Sequence, residues 1–142
     1  MIRLWLDKKP DAIRSECTII PYNQNEHHSL VPKLYAEGFN DKPWNSDWDR
    51  WDFFDPEGVF LASVDGKYAG FIISYERDGN GHISVLTVLP EFRGRGIAKS
   101  LIGRAADYLF GKGYTKISIR VEEENETALG LYRDTGFSVN GG

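Results

Sequence analysis

The sequence predicts an α/β protein: one mixed sheet with helices on its faces, in the order β-α-α-β-β-β-α-β-α-β. Three observations carry this. Two turn signals, Asp65-Gly66 and Asp78-Gly79-Asn80-Gly81, separate three β-rich runs and predict an antiparallel meander. Apolar residues Ile97, Leu101, Ala105 and Tyr108 then recur as one stripe of an amphipathic helix. The crossover through that helix to a further strand makes the sheet mixed rather than purely antiparallel.

Each element has its own warrant. Ile2, Leu4 and Leu6 alternate with Arg3 and Trp5, the pattern of an edge strand, until Pro10 breaks it. Residues 1–16 otherwise stand as an N-terminal extension of unassigned role. Residues 18–22 are a short β-branched run and predict a strand. Residues 27–39 carry Leu30, Val31, Leu34, Tyr35 and Phe39 at helical spacing and meet stop signals at Gly38 and Asn40. Residues 46–54 predict a second helix, started by Ser46. Strands over 59–64, 68–75 and 82–88 follow, joined by the two turns. The helix after Pro90 ends at Gly111-Lys112-Gly113. Residues 116–121 read as a strand, Asn125 caps another helix, Gly136 stops it, and Phe137 opens a last short strand.

Composition closes off several function classes. A chain of 142 residues has room for one domain and one core, so residues 1–142 are expected to form a single domain. It is 41% hydrophobic and 27% charged, ordinary globular usage that argues against disorder. Cys17, the one cysteine, cannot close an internal disulfide, and no metal site is expected. No signal-peptide core and no membrane-length apolar run are visible, so a cytoplasmic protein is the expectation. The net charge of −4, without a basic cluster in sequence, argues against nucleic acid as a partner. Residues 41–57 alone sum to −4 and also hold Trp44, Trp48, Trp51, Phe53 and Phe54. That texture suits a bound cation, and equally an amphipathic helix with rings inside and acids in water.

The strongest chemistry lies in residues 86–98, Leu-Thr-Val-Leu-Pro-Glu-Phe-Arg-Gly-Arg-Gly-Ile-Ala. A strand ends, Pro90 fixes the exit, and Gly94 and Gly96 sit where a helix begins. Glycine leaves backbone N–H groups free to close on an oxygen-rich anion, and the helix dipole adds about half a positive charge there. Arg93 and Arg95 can reinforce it. A phosphate or pyrophosphate is the ligand this turn suits; an ordinary tight turn is the plainer alternative. The segment lacks Gly-Lys-Ser/Thr and a third glycine, so it is neither a Walker A loop nor a dinucleotide fingerprint.

Arg93-Gly94-Arg95-Gly96-Ile97-Ala98 resembles the Gln/Arg-x-x-Gly-x-Gly/Ala signature of the GNAT (GCN5-related N-acetyltransferase) superfamily, framed upstream by Leu86, Val88 and Pro90. Asn125-x-x-Ala128-x-x-Leu131-Tyr132-x-x-x-Gly136-Phe137 resembles that family's second signature. The likeness covers residues 82–137 well and the first 57 residues by element order alone. It implies the family's acyl-CoA N-acyltransferase fold and acetyl-CoA, or another acyl-CoA, as donor. The pyrophosphate turn falls on residues 93–98. The strand whose backbone pairs with the pantetheine arm falls on Leu86, Thr87 and Val88. Asn125 stands at a position that often contacts the cofactor, and Tyr132 where relatives often place the acid that protonates the departing thiolate.

An amine attacking a thioester must lose a proton while the sulfur gains one. A backbone N–H near residues 86–88 would polarise the carbonyl. Tyr132, with an ordinary pKa near 10, keeps its proton at neutral pH and can serve as the acid. His82 falls where several relatives carry the residue that performs or relays deprotonation. Ser84, two residues on, is expected on the same face as His82 and Leu86 unless a bulge intervenes. Buried packing is the plainer role for Tyr132, and an unengaged turn residue that for His82.

Two departures matter. Relatives that acetylate protein N-termini often carry a Glu where this chain has Arg120, which cannot act as a base. Glu122, Glu123 and Glu124 nearby read as a solvated loop, or as groups that attract a cationic acceptor. Relatives also continue past Gly-Phe into a hairpin with a seventh strand, whereas this sequence ends at Asn140-Gly141-Gly142. The expectation is that the sequence is cut short there, or that the segment 2–6 or a partner chain covers that edge, which leaves room for a homodimer. The function expected is acetyl transfer from acetyl-CoA to a primary amine of a cationic small molecule or a protein. The alternatives are a non-catalytic acyl-CoA sensor, or an interaction domain that docks through the aromatic stretch.

Overall fold

Alternation, turns and one crossover set the sheet, and a computed structural model describes it over residues 1–11 and 15–139. The strands are β1 (Ile2–Leu6), β2 (Thr18–Pro21), β3 (Val59–Val64), β4 (Lys67–Arg77), β5 (Asn80–Val88) and β6 (Ile117–Val121). The helices are α1 (Gln24–His27), α2 (Leu30–Phe39), α3 (Ile97–Gly111) and α4 (Glu126–Thr135). The sheet runs β1-β6-β5-β4-β3-β2, antiparallel throughout except between β5 and β6. Asp65 and Gly66 both take positive φ (50° and 79°), as do Asp78 and Gly79 (53° and 84°). Both hairpins therefore close with type I′ turns, at the two places where the sequence predicts turns.

The two faces of the sheet carry separate cores. On one, α3 and α4 bury Leu101, Ile102, Leu109 and Leu129 against Leu4, Leu6, Ile72 and Ile119. Each fully buried apolar side chain there stabilises the fold by about 2 kcal/mol. On the other, α2 and the aromatic stretch cover Leu61, Phe71 and Ile73 through Val31, Leu34 and Trp48. Leu4 and Leu6 are wholly buried, so β1 is an integral edge strand paired with β6 from Ile2↔Val121 to Leu6↔Ile117.

Three local expectations are corrected. The helix over 27–39 is two pieces, because the chain turns at His28-Ser29 between α1 and α2. No helix forms over 46–54, where successive turns replace it. The Asn45 side-chain Oδ1 accepts from the Asp47 N–H at 2.9 Å, the Trp48 indole donates to the His28 carbonyl at 2.9 Å, and the Trp51 indole donates to the Trp48 carbonyl at 2.7 Å. Such side-chain bonds compete with helical ones, and here the rings are held against α1 and the sheet instead. Finally, the strand opened by Phe137 is one bridge pair among the described residues: Ser138 exchanges both backbone hydrogen bonds with Trp5, on the side of β1 away from β6.

Candidate active site

Pairing between β5 and β6 stops after three positions, Gly81↔Ile117, His82↔Ser118 and Ile83↔Ile119. Beyond that point β6 stays with β1, and β5 stays with β4 as far as Val88. A parallel pair that parts halfway opens a cleft, along which the backbone edge of residues 84–88 has no neighbouring strand among the described residues. Backbone polar groups so exposed are ready to pair with an extended ligand. Leu86 is half-buried on the α3 face, Val88 is buried there, and Thr87 is buried on the α2 side, where Gly38 lets the helix approach.

A bulge sets which side chains line the cleft. Ile73 pairs with Val85 while the next residue, Ser74, pairs with Ile83, so Ser84 is the extra residue of β5. The bulge reverses the alternation, and the expectation that His82 and Leu86 share a face is thereby corrected. His82 lies on the face of Tyr75, and Leu86 packs into the α3 core. Nothing in the sequence marks this position. Ser84 and Val85 instead join Trp44, Asn45, Trp48, Trp51 and Ile73 in lining a cavity of about 380 Å³. The aromatic stretch therefore does build a pocket, but its carboxylates are elsewhere. Asp49 pairs with the His28 imidazole at 3.1 Å, Asp55 takes the Tyr108 hydroxyl, and Asp41, Asp47 and Asp52 face solvent.

At the far end of β5 the chain passes through a short turn over residues 90–92 into Gly94 (φ 81°) and Gly96 (φ 77°, ψ 9°), a backbone that other residues adopt only at a cost. Gly96 is the N-cap of the fifteen-residue α3 and offers no side-chain acceptor, so the first N–H groups of the helix point outward unsatisfied. Arg93 is committed elsewhere: its Nε donates to the Val88 carbonyl and an Nη to the Gly38 carbonyl, both at 2.9 Å, tying the turn to α2. Arg95 is exposed and lies over the Phe92 ring at 5.7 Å, leaving its guanidinium open to a ligand. Ile97 is buried as the first core residue of α3, and Ala98 is half-buried beside it.

The remaining residues divide by role. Asn125 caps α4, its Oδ1 accepting from the Ala128 N–H at 3.1 Å. Tyr132 is buried beside Phe137 on the α3 side, with no hydrogen-bond partner for its hydroxyl among the described residues; burial raises its pKa above 10. His82 is 8% exposed, and its Nδ1 lies 2.8 Å from the Ser118 hydroxyl. Burial, reinforced by Arg77, Arg120 and Arg3, pushes its pKa down to about 4, so the imidazole is neutral near pH 7. His82 and Tyr132 thus lie on opposite faces of the sheet. Glu122, Glu123 and Glu124 are exposed, and Cys17 is half-buried 2.8 Å from the Ser15 hydroxyl. Among the described residues no cluster of metal-ligating side chains occurs, and no helix is long and apolar enough to cross a membrane.

Residues 23–137 match the model of the acetyltransferase (GNAT) family. An acetyltransferase of Pectobacterium atrosepticum is 36% identical over 101 residues, covering 69% of this chain and 72% of its own length. An acetyltransferase of Yersinia enterocolitica matches to the same extent. A GCN5-related N-acetyltransferase from Sphaerobacter thermophilus superposes with a TM-score of 0.80 at 23% identity, over 96% of this chain and 47% of the other. This chain therefore spans about half of that protein. An aminoglycoside N-acetyltransferase solved in complex with CoA superposes with a TM-score of 0.71 at 22% identity, over 89% of this chain and 90% of its own.

Proposed function

The chain belongs to the acetyltransferase (GNAT) family, and we propose that its donor is acetyl-CoA and its acceptor a primary amine. The observation that carries this is the parting of β5 from β6 at Ile83, which leaves a strand edge leading from an anion-binding turn to an aromatic pocket. The pyrophosphate belongs at the N–H groups of Gly94 to Ala98, with Arg95 as the free cation; Arg93 shapes the turn. The pantetheine arm pairs along Leu86, Thr87 and Val88, and Asn125 borders the cleft from α4. The CoA-bound aminoglycoside acetyltransferase of the same fold supports this reading.

The acceptor enters on the other face, its ammonium against the rings of Trp44, Trp48 and Trp51. Its nitrogen, once deprotonated, attacks the thioester carbon, and a backbone N–H of β5 stabilises the charge that develops on the carbonyl oxygen. The C–S bond then breaks, and Tyr132 donates to the sulfur; burial keeps that hydroxyl protonated throughout the neutral range. His82 is neutral and too weak a base to store the amine's proton, so its part is to accept a hydrogen bond from a water that carries the proton out.

Calorimetry with acetyl-CoA tests the donor. Micromolar binding is expected, lost in Gly96→Trp, whose fold is checked by circular dichroism. Tyr132→Phe should bind acetyl-CoA normally yet release thiol at least tenfold more slowly in an amine screen. No acetyl-CoA binding by the unmodified protein would sink the proposal.

A further inference from the structure

On the sheet face that carries the aromatic pocket, three arginines stand without a counter-ion among the described residues. Arg3 on β1 and Arg120 on β6 are directly paired across the strands, and Arg77 ends β4. All three are exposed, and none makes an ion pair or hydrogen bond to another side chain among the described residues. Like charges opposite each other on a sheet destabilise it, more so when no carboxylate lies between them. This pairing is the opposite of what a molecule with a net charge of −4 would place there by default. The cluster is also braced. The Arg3 guanidinium lies 5.7 Å from the Trp5 ring, that of Arg77 5.6 Å from Phe53, and Lys116 adds a fourth cation 5.9 Å from Trp5.

The cluster is continuous with the pocket. Trp51, which lines the cavity, meets Tyr75 edge-on at 4.8 Å; Tyr75 meets His82 at 5.4 Å; and His82 lies within the electrostatic reach of all three arginines. It is separate from the donor's phosphate site. Val88 lies six residue steps along β5 from His82, roughly 20 Å at about 3.3 Å per step, and the proposed pyrophosphate turn lies beyond Val88.

We propose that the acceptor is a small amine that also carries a carboxylate or phosphate, its ammonium over the tryptophans and its anionic group between Arg3, Arg77 and Arg120. This rests on the acetyltransferase reading and narrows the acceptor from any cationic amine to one bearing a negative group.

The test uses matched acceptors: α- and ω-amino acids against their amides and decarboxylated counterparts, and amino-alcohol phosphates against the free alcohols. Thiol release from acetyl-CoA is followed after calorimetry has shown that acetyl-CoA binds. The expected result is at least a tenfold preference in kcat/KM for the anionic member of a pair, with carboxylates and phosphates distinguishing the two anion classes. That preference should vanish in Arg120→Gln and in Arg3→Gln through a raised KM with kcat nearly kept. Lys67→Gln, an exposed charge at the β3–β4 turn, should leave it intact. Equal or faster turnover of the uncharged members would overturn the proposal. So would acetyl-CoA binding without turnover of any anionic amine. Titration with glutarate, read from the guanidinium N–H signals of Arg3, Arg77 and Arg120 by NMR, provides an arm independent of activity. Shifts there alongside absent acetyl-CoA binding would count against the acetyltransferase reading and for the anion site; unshifted signals would count against the anion site.

Discussion

His82 is where single-residue chemistry is most exposed to measurement. Its folded pKa, about 4, lies below the usual 6.5. Between those values the unfolded chain takes up a proton that the folded chain refuses, so stability falls as pH drops from 6.5 toward 4. The loss contributed by this one group is about 3 kcal/mol across that window. Denaturant unfolding at a series of pH values should show this slope, and His82→Gln should remove its share while leaving stability at pH 8 nearly unchanged. A slope identical in both proteins would mean that His82 titrates normally. Tyr132 is the mirror case: burial holds the proton on, which suits a donor.

Between elements, the contact that sets the site is the approach of α2 to β5. A Cβ built on Gly38 would fall 2.0 Å from the Thr87 Oγ1 and 3.2 Å from its Cβ, so a side chain there must displace either Thr87 or the helix. Since Arg93 donates to the Gly38 carbonyl, moving α2 also pulls on the glycine turn proposed to receive the donor. Gly38→Ala is therefore expected to cost about 1–3 kcal/mol by overpacking, measured by thermal unfolding, and to weaken acetyl-CoA binding. Adding Thr87→Ala should recover part of both losses; a double variant no better than Gly38→Ala would show that the clash is relieved elsewhere. The bulge at Ser84 belongs to the same scale. It costs the sheet one ladder position and turns two adjacent side chains into the pocket wall.

Across the whole molecule, β1 ties the beginning of the chain to its end, pairing with β6 on one side and with Ser138 on the other. It also contributes the wholly buried Leu4 and Leu6 to the main core, worth roughly 4 kcal/mol together by area burial. Deleting residues 1–6 should thus lower the melting temperature sharply and expose the β6 edge to self-association, seen as a rise in light scattering. A deletion variant that stays monomeric with an unchanged melting temperature would refute that role. The same strand brings Arg3 opposite Arg120, so its loss should also lower any selectivity for anionic amines.

The element order from β3 to α4, the type I′ turn at Asp65-Gly66, the glycine turn into α3 and the capping of α4 by Asn125 were determined by the sequence itself, because each depends on residues within a few positions of one another. Residues 46–54 show the limit of that locality. Their spacing predicts a helix, yet indole donors find carbonyls on other segments and at Trp48, and the rings follow the sheet rather than a helical face. Pairing partners, the point where β5 leaves β6, the bulge that turns His82 away from Leu86 and the meeting of Arg3, Arg77 and Arg120 were decided only by the tertiary structure. Each is a relation between strands distant in the chain, fixed by how two cores pack on opposite faces of one sheet, and no local pattern records it.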